Sequence, residues 1–234
     1  MRVIAVTSQK GGSGKTTLTG HLGVAAERAG AGPVALIDTD PQGSLSDWWA
    51  ERTEGGPSFA RVNIGSLGQD LQMLRERGIK LVFIDTPPAI TRSIQAVIQK
   101  ADLVVIPTRP SPHDLRAAGA TVDLVERAEK PLVFVVNAAT ARAKLTGEAA
   151  IALSQHGTVA PTIIHNRQDF AASMIDGRTV MEAAAGGKSA EEIDALWAYV
   201  EDRIKRLPVK ASFKATPIHR GAFGTRAVAS AHQF

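Results

Sequence analysis

The chain has no cysteine, one tyrosine among 234 residues, and only 5% aromatic side chains. Without cysteine, disulfides, thiolate metal sites, thiol nucleophiles and cysteine-ligated iron–sulfur clusters are excluded. No apolar run approaches the roughly 20 residues that a membrane-spanning helix needs. The opening "MRVIAVTSQK" has too short an apolar stretch for a secretory leader, so a cytoplasmic location is expected. Bulk positive charge is also scarce, despite a net charge of +4. The stretch 208–234 carries Lys210, Lys214, Arg220 and Arg226 and no acid. Removing those four from the 27 basic residues leaves 23, equal to the 23 acids, so the body is formally neutral. Nucleic-acid binding by the body would therefore need a local patch.

What is present is a globular composition, 44% hydrophobic and 21% charged, sized for one domain. Short β-rich runs lie at 2–7, 33–38, 81–85, 102–107 and 131–137, with a further strand expected over 159–165. Several are near-continuous Val/Ile runs, as in a parallel sheet buried on both faces. Helical spacing fills the intervals at 15–28, 67–77, 91–99, 115–129, 147–155 and 189–207. This alternation predicts a doubly wound α/β domain: a mostly parallel sheet, helices on both faces, and ligands at the carboxyl ends of the strands. One domain is expected over 1–207. The basic tail, 208–234, has no period and is broken by Pro208, Pro217, Gly221 and Gly224, so it is expected to be disordered.

The stretch "TSQKGGSGKTTL" (7–18) joins a predicted strand to a predicted helix. That is the setting of a phosphate-binding loop, whose glycines turn backbone N–H groups inward at a helix N-terminus. Gly11, Gly12, Ser13 and Gly14 would cradle phosphate, Lys15 would reach the β- and γ-phosphates, and Thr16 and Thr17 open the helix. The strict pattern G-x-x-x-x-G-K-[ST] is not met, because Gln9 holds the first glycine position. A second lysine, Lys10, opens the loop instead.

Five segments together resemble the deviant Walker A ATPases of the ParA/MinD group, the ParA partition ATPases in particular. They are "QKGGSGKTT" (9–17), "LIDTDPQGS" (36–44), "LVFIDTPP" (81–88), "VVIPTRPSPHDL" (104–115) and "NRQDFAASMIDGRTVME" (166–182). The resemblance covers 1 to about 207. It implies a P-loop fold, ATP with Mg²⁺, and an ATP-driven homodimer in which Lys10 contacts the partner's nucleotide. It also implies slow, partner-stimulated hydrolysis, with Asp40 orienting water and Thr16, Asp38 and Asp85 around the metal. Asn137 either lies near the adenine or is a satisfied turn residue. Asp40-Pro41, taken alone, also reads as a turn.

The ParA likeness further implies nonspecific DNA binding, hence nucleoid association, and a ParB-like or other cargo adaptor. The cargo would be a plasmid, a chromosomal region or a large protein assembly. Arg167, Arg178, Lys188 and Arg203 are the candidate DNA contacts, with Lys205 and Arg206. The last three basic residues also suit a helix C-terminus through its dipole. A MinD-like membrane-associated ATPase is the alternative, but the tail offers no amphipathic helix and stable membrane association is not expected. A P-loop biosynthetic enzyme remains open. Trp48 and Trp49 are read as packing a helix on the sheet or contacting a partner. His21, His113, His156 and His165 lack metal spacing, and "PPAIT" (87–91) is a candidate γ-phosphate switch.

Overall fold

A computed structural model describes residues 1–88 and 92–208. Seven parallel strands form one sheet: β1 (Arg2–Val6), β2 (Val34–Asp38), β3 (Ser58–Phe59), β4 (Leu81–Asp85), β5 (Leu103–Thr108), β6 (Leu132–Val136) and β7 (Thr158–Val159). Their order is β3-β2-β4-β1-β5-β6-β7. β1 is hydrogen-bonded to β4 on one side and β5 on the other. The chain therefore reverses its direction of travel across the sheet around β1, and the loop after β1 opens at a topological switch point.

Alternation along each strand divides the core. Ile4 and Val6 of β1 join Leu36, Phe83 and Val105 on one face, while Val3 and Ala5 join Ile37, Val82 and Ile84 on the other. The first face is covered by α1 (Lys15–Arg28), α2 (Ser44–Ala50), α7 (Gln168–Ser173), α8 (Val180–Ala183) and α9 (Lys188–Arg206). The second is covered by α3 (Leu67–Glu76), α4 (Arg92–Lys100), α5 (Pro112–Arg127) and α6 (Lys144–Ser154). α9 buries Ile193, Leu196, Trp197, Val200 and Ile204, a stripe of helical spacing, and sets Trp197 beside Phe83 with ring centroids 6.1 Å apart.

The expected doubly wound sheet is present, with two departures. Of the last strand expected over 159–165, only Val159 is strand, with Thr158 in a two-residue β7. Pro161 has no N–H to continue the ladder, and the chain beyond it returns only for single bonds such as Ile164 N–H to the Val136 carbonyl at 3.0 Å. The two-residue β3 has no sequence expectation, being too short to show a period. α5 begins at Pro112, earlier than apolar spacing suggests, because Ser111 caps it: the Ser111 hydroxyl accepts the Asp114 N–H at 3.2 Å. Most of the expected tail, 209–234, and Ala89, Ile90 and Thr91 of the candidate switch lie outside the described residues.

Candidate nucleotide site

The loop between β1 and α1 owes its shape to glycine. Gly12 and Gly14 have φ of 70° and 95°, a left-handed backbone that other residues adopt only at a cost. Gly14 is also wedged: a Cβ there would stand 2.1 Å from the Asn137 amide nitrogen. That amide, at the carboxyl end of β6, donates to the Ser13 carbonyl at 2.7 Å. Asn137 is thus a loop-locking residue at the mouth of the sheet. A cavity of about 700 Å³ opens over the loop, lined by Gly11, Gly12, Lys15, Asp40, Trp48 and Arg109 among others. A second, of about 230 Å³, adjoins it through Gly14, Thr17 and Arg109 and is walled by Asn137, Ile164 and Phe170.

Beneath the loop, one cation faces several acids. Lys15 is 7% exposed and donates to the Lys10 carbonyl at 3.3 Å. Burial lowers its pKa, opposed by the charges of Asp85 and Asp40. The Thr16 hydroxyl donates to Asp85 at 2.6 Å, and the Thr86 N–H donates to the other carboxylate oxygen at 3.0 Å. Burial nevertheless pushes Asp85 up to about 7, with the neighbouring Asp38 charge adding to it. Asp38, ending β2, is raised by burial too. Its carboxylate accepts the N–H groups of Asp40, Leu45 and Ser46 at 2.9–3.0 Å, so it also fastens the start of α2. Asp40 accepts the Gln42 N–H at 3.0 Å in a local turn.

These groups fit a phosphate ligand with a divalent cation. Thr7 Oγ1, Gln9 Nε2 and Ser13 Oγ are buried in or beside the loop without a hydrogen-bond partner among the described residues. The exposed Cα of Gly11 faces open space. The half-buried Thr16 hydroxyl and the buried Asp85 carboxylate offer the hard oxygens that Mg²⁺ takes. Lys10 is exposed, and its ammonium has no ion pair among the described residues.

The expected DNA contacts are scattered. Arg167, just before α7, lines the second cavity, and its guanidinium donates to Glu192 of α9 at 2.6 Å. Arg178 pairs with Asp176 at 2.7 Å. Lys188 and Arg203 stand at opposite ends of α9, ~22 Å apart along its axis. Lys205 and Arg206 are paired along the helix with Glu201 and Asp202. Trp48 packs against Gly20 of α1 and sends its indole N–H to the Arg178 carbonyl at 3.1 Å, while Trp49 stacks near Phe59 at 5.4 Å. Both support packing of α2.

Sequence reading missed Arg109 and Glu192. Arg109 was discoverable, because it directly follows a buried strand on the sheet edge where Asp38, Asp85 and Asn137 stand. Glu192 carries no local signal.

The profile of the CobQ/CobB/MinD/ParA nucleotide binding domain matches residues 4–180. Over 137 residues the chain is 44% identical to the maintenance of carboxysome distribution protein A of Gloeobacter kilaueensis, covering 56% of this chain and 58% of that protein. It therefore spans less than two thirds of that relative. Over 202 residues it is 28% identical to the protein of the same name from Halothiobacillus neapolitanus, covering 81% of this chain and 91% of that one. The solved ATP complex of Cyanothece McdA superposes with a TM-score of 0.73 at 17% identity, covering 89% of this chain and 98% of that chain. At that identity the likeness is one of fold.

Proposed function

Since the chain belongs to the CobQ/CobB/MinD/ParA nucleotide-binding family, we propose that it is a positioning ATPase whose ATP-bound form is a homodimer. The observation that carries this reading is the buried Lys15 beside the bonded Thr16 and Asp85 under a glycine loop, with a second, exposed lysine, unpaired among the described residues, at its outer edge. Lys15 binds the β- and γ-phosphates, and the loop amides of Gly11–Thr17 hold the rest of the chain of charge. Thr16, Asp38 and Asp85 would hold Mg²⁺, which when bound would neutralise charge on the phosphoryl oxygens. Asp40 orients the attacking water. Asn137 fixes the loop beside the base pocket. Lys10, exposed on the loop, reaches the nucleotide of the other protomer. A triphosphate rewards that contact more than a diphosphate does, so nucleotide state sets association state.

The cargo is proposed to be a large protein assembly, because two relatives are named for carboxysome distribution. Plasmid or chromosomal cargo is the narrower alternative within the same family. The ATP dimer is proposed to hold DNA nonspecifically and to be released by a cargo adaptor. Doubling scattered basic residues by pairing raises DNA affinity without a strong patch on either protomer. Co-sedimentation with DNA under ATP, ADP or no nucleotide, across a salt series, tests this. Pelleting only with ATP, and weakening with salt, is expected. Equal pelleting in all states rejects nucleotide-gated DNA binding, and ATP-dependent flotation with lipid vesicles instead favours a MinD-like role.

A further inference from the structure

Four arginines stand around the two cavities or the elements that border them, and three are held by carboxylates. Arg52 pairs with Glu182 at 2.8 Å, Arg167 with Glu192 at 2.6 Å and Arg178 with Asp176 at 2.7 Å. Arg109 is exposed; its carbonyl accepts the Ser111 N–H at 2.8 Å, but its guanidinium has no carboxylate or hydrogen-bond partner among the described residues. Its guanidinium nevertheless lies along the loop, with one nitrogen 3.7 Å from where a Cβ of Gly12 would stand. It lines both cavities, the larger over the phosphate loop and the smaller beside Asn137. The strand that delivers it, β5, is fully buried and neighbours β1, so its backbone origin is rigid. A planar, permanently charged fork is therefore held at the junction of the two cavities with its donors unspent.

We propose that Arg109 clamps the α- and β-phosphates of the bound nucleotide in its own protomer. The inference rests on the nucleotide reading above. A nucleotide with its base beside Asn137 and its terminal phosphate over Lys15 must pass its inner phosphates across the boundary that Arg109 lines. There the guanidinium donates charge-assisted hydrogen bonds, which Lys15 cannot do from below the loop. Such a clamp does not read the γ-phosphate. It makes both ATP and ADP bind more tightly, and it acts before any second protomer arrives.

Isothermal titration of the full chain with ATP and with ADP, in the presence of Mg²⁺, tests this. Arg109→Ala is expected to weaken both by roughly 10-fold, the lower end for a charge-assisted bond at an exposed site. Arg109→Lys keeps the charge but not the fork and should recover part of the loss for both ligands. ADP is the decisive ligand, because it does not reward pairing of protomers. Unchanged ADP affinity in Arg109→Ala overturns the proposal, whether or not ATP affinity falls. Lys15→Ala serves as the reference. If it leaves both affinities intact, the nucleotide reading itself fails; if it weakens them while Arg109→Ala does not, only the clamp fails. The thermal midpoint of Arg109→Ala should match that of the parent chain, since the side chain is exposed.

Discussion

Between α2 and α8, Arg52 and Glu182 form a closed cluster; at the carboxyl end of β4, Lys15, Asp85, Asp38 and Asp40 form an open one. The Arg52 side chain is 2% exposed and the Glu182 side chain 12%. The guanidinium also donates to the Gly177 and Gly56 carbonyls, each at 2.7 Å, and stands 5.1 Å from the Trp48 ring centroid. Glu182 accepts the N–H and hydroxyl of Thr179, both at 2.8 Å. Burial pushes Glu182 up, but the Arg52 and Thr179 hydrogen bonds outweigh it and hold the carboxyl below its usual range. At β4 the balance runs the other way: burial wins, and Asp85 is pushed up to about 7. In one cluster the opposite charges are matched within the chain, with only Arg52 Nε left buried and without a partner among the described residues, and it serves the fold. The other is left short of positive charge, as the proposed nucleotide site would require.

The largest effect that could break this contrast is expected from Arg52→Ala. It strands a buried carboxylate and should cost about 3–5 kcal/mol of stability, or roughly 10 °C in the thermal midpoint. ATP affinity should stay within about twofold where the variant is folded. Denaturant unfolding with titration calorimetry checks both. A variant that keeps its stability and loses ATP would make the cluster part of the site. Next comes Lys15→Ala, the mirror case. It should cost about 2–3 kcal/mol in ATP binding, on the scale of charged hydrogen bonds, while stability changes by under about 1 kcal/mol. Matching losses in fold and ligand would dissolve the distinction.

Opposite pH dependence sharpens the contrast. Asp85 has a folded pKa near 7, above the ordinary 3.8, so the folded chain keeps its proton longer than the unfolded chain does. Its burial therefore costs nothing below pH 4, and stability falls as pH rises from about 4 to 7. Asp85→Asn should be more stable than the parent by roughly 1–2 kcal/mol above pH 7, with the difference vanishing toward pH 4. Glu182 has the reverse sign. Its depressed pKa gives stability that is present at neutral pH and lost as pH falls through the folded value. Glu182→Gln should thus be destabilised at neutral pH and converge on the parent in acid. Urea midpoints from about pH 8 down to about pH 2 check both variants in the absence of nucleotide, the Asp85 change falling above pH 4 and the Glu182 change below the ordinary carboxylate range. Parallel pH trends for the two would reject the idea that the clusters are oppositely balanced.

The open cluster was legible in the sequence because each member sits next to a strong local pattern. Asp38 and Asp85 end strands, and Lys15 and Thr16 begin a helix after glycines. Buried Val/Ile runs locate the strand ends to within a residue, and in a doubly wound sheet the ends of strands are where ligands meet side chains. The closed cluster could not be read this way. Arg52 and Glu182 are 130 residues apart, each in an unremarkable polar stretch, and only the packing of α8 against α1, with α2 against the turn at 174–176, joins them. The same limit hid the second role of Asp38. Its three backbone bonds depend on how α2 turns back on β2, which no spacing encodes. Arg167 shows another limit: the motif around it suggests a DNA contact, but no spacing encodes that its guanidinium donates to Glu192 beside the smaller cavity.

Glu192 lies between the two kinds of cluster and gives the smallest effect. It accepts the His165 N–H at 3.1 Å, bonds the His165 ring nitrogen Nδ1 at 2.7 Å and accepts from Arg167 at 2.6 Å. Burial pushes its carboxyl up, but the Arg167 and His165 hydrogen bonds outweigh burial and hold it down. Like Glu182 it is satisfied within the chain, but what it steadies is the wall of the smaller cavity, where His165 and Arg167 stand. Glu192→Gln keeps the shape and removes the charge. With the Arg167 side chain 25% exposed, water can replace part of what is lost, so stability should fall by under about 1 kcal/mol. If the cavity receives the base, ATP affinity should fall by about threefold, while affinity for inorganic triphosphate, which has no base, stays unchanged. Equal losses for both ligands would show that Glu192 acts on the phosphate loop instead, and would move it from the closed class of cluster to the open one.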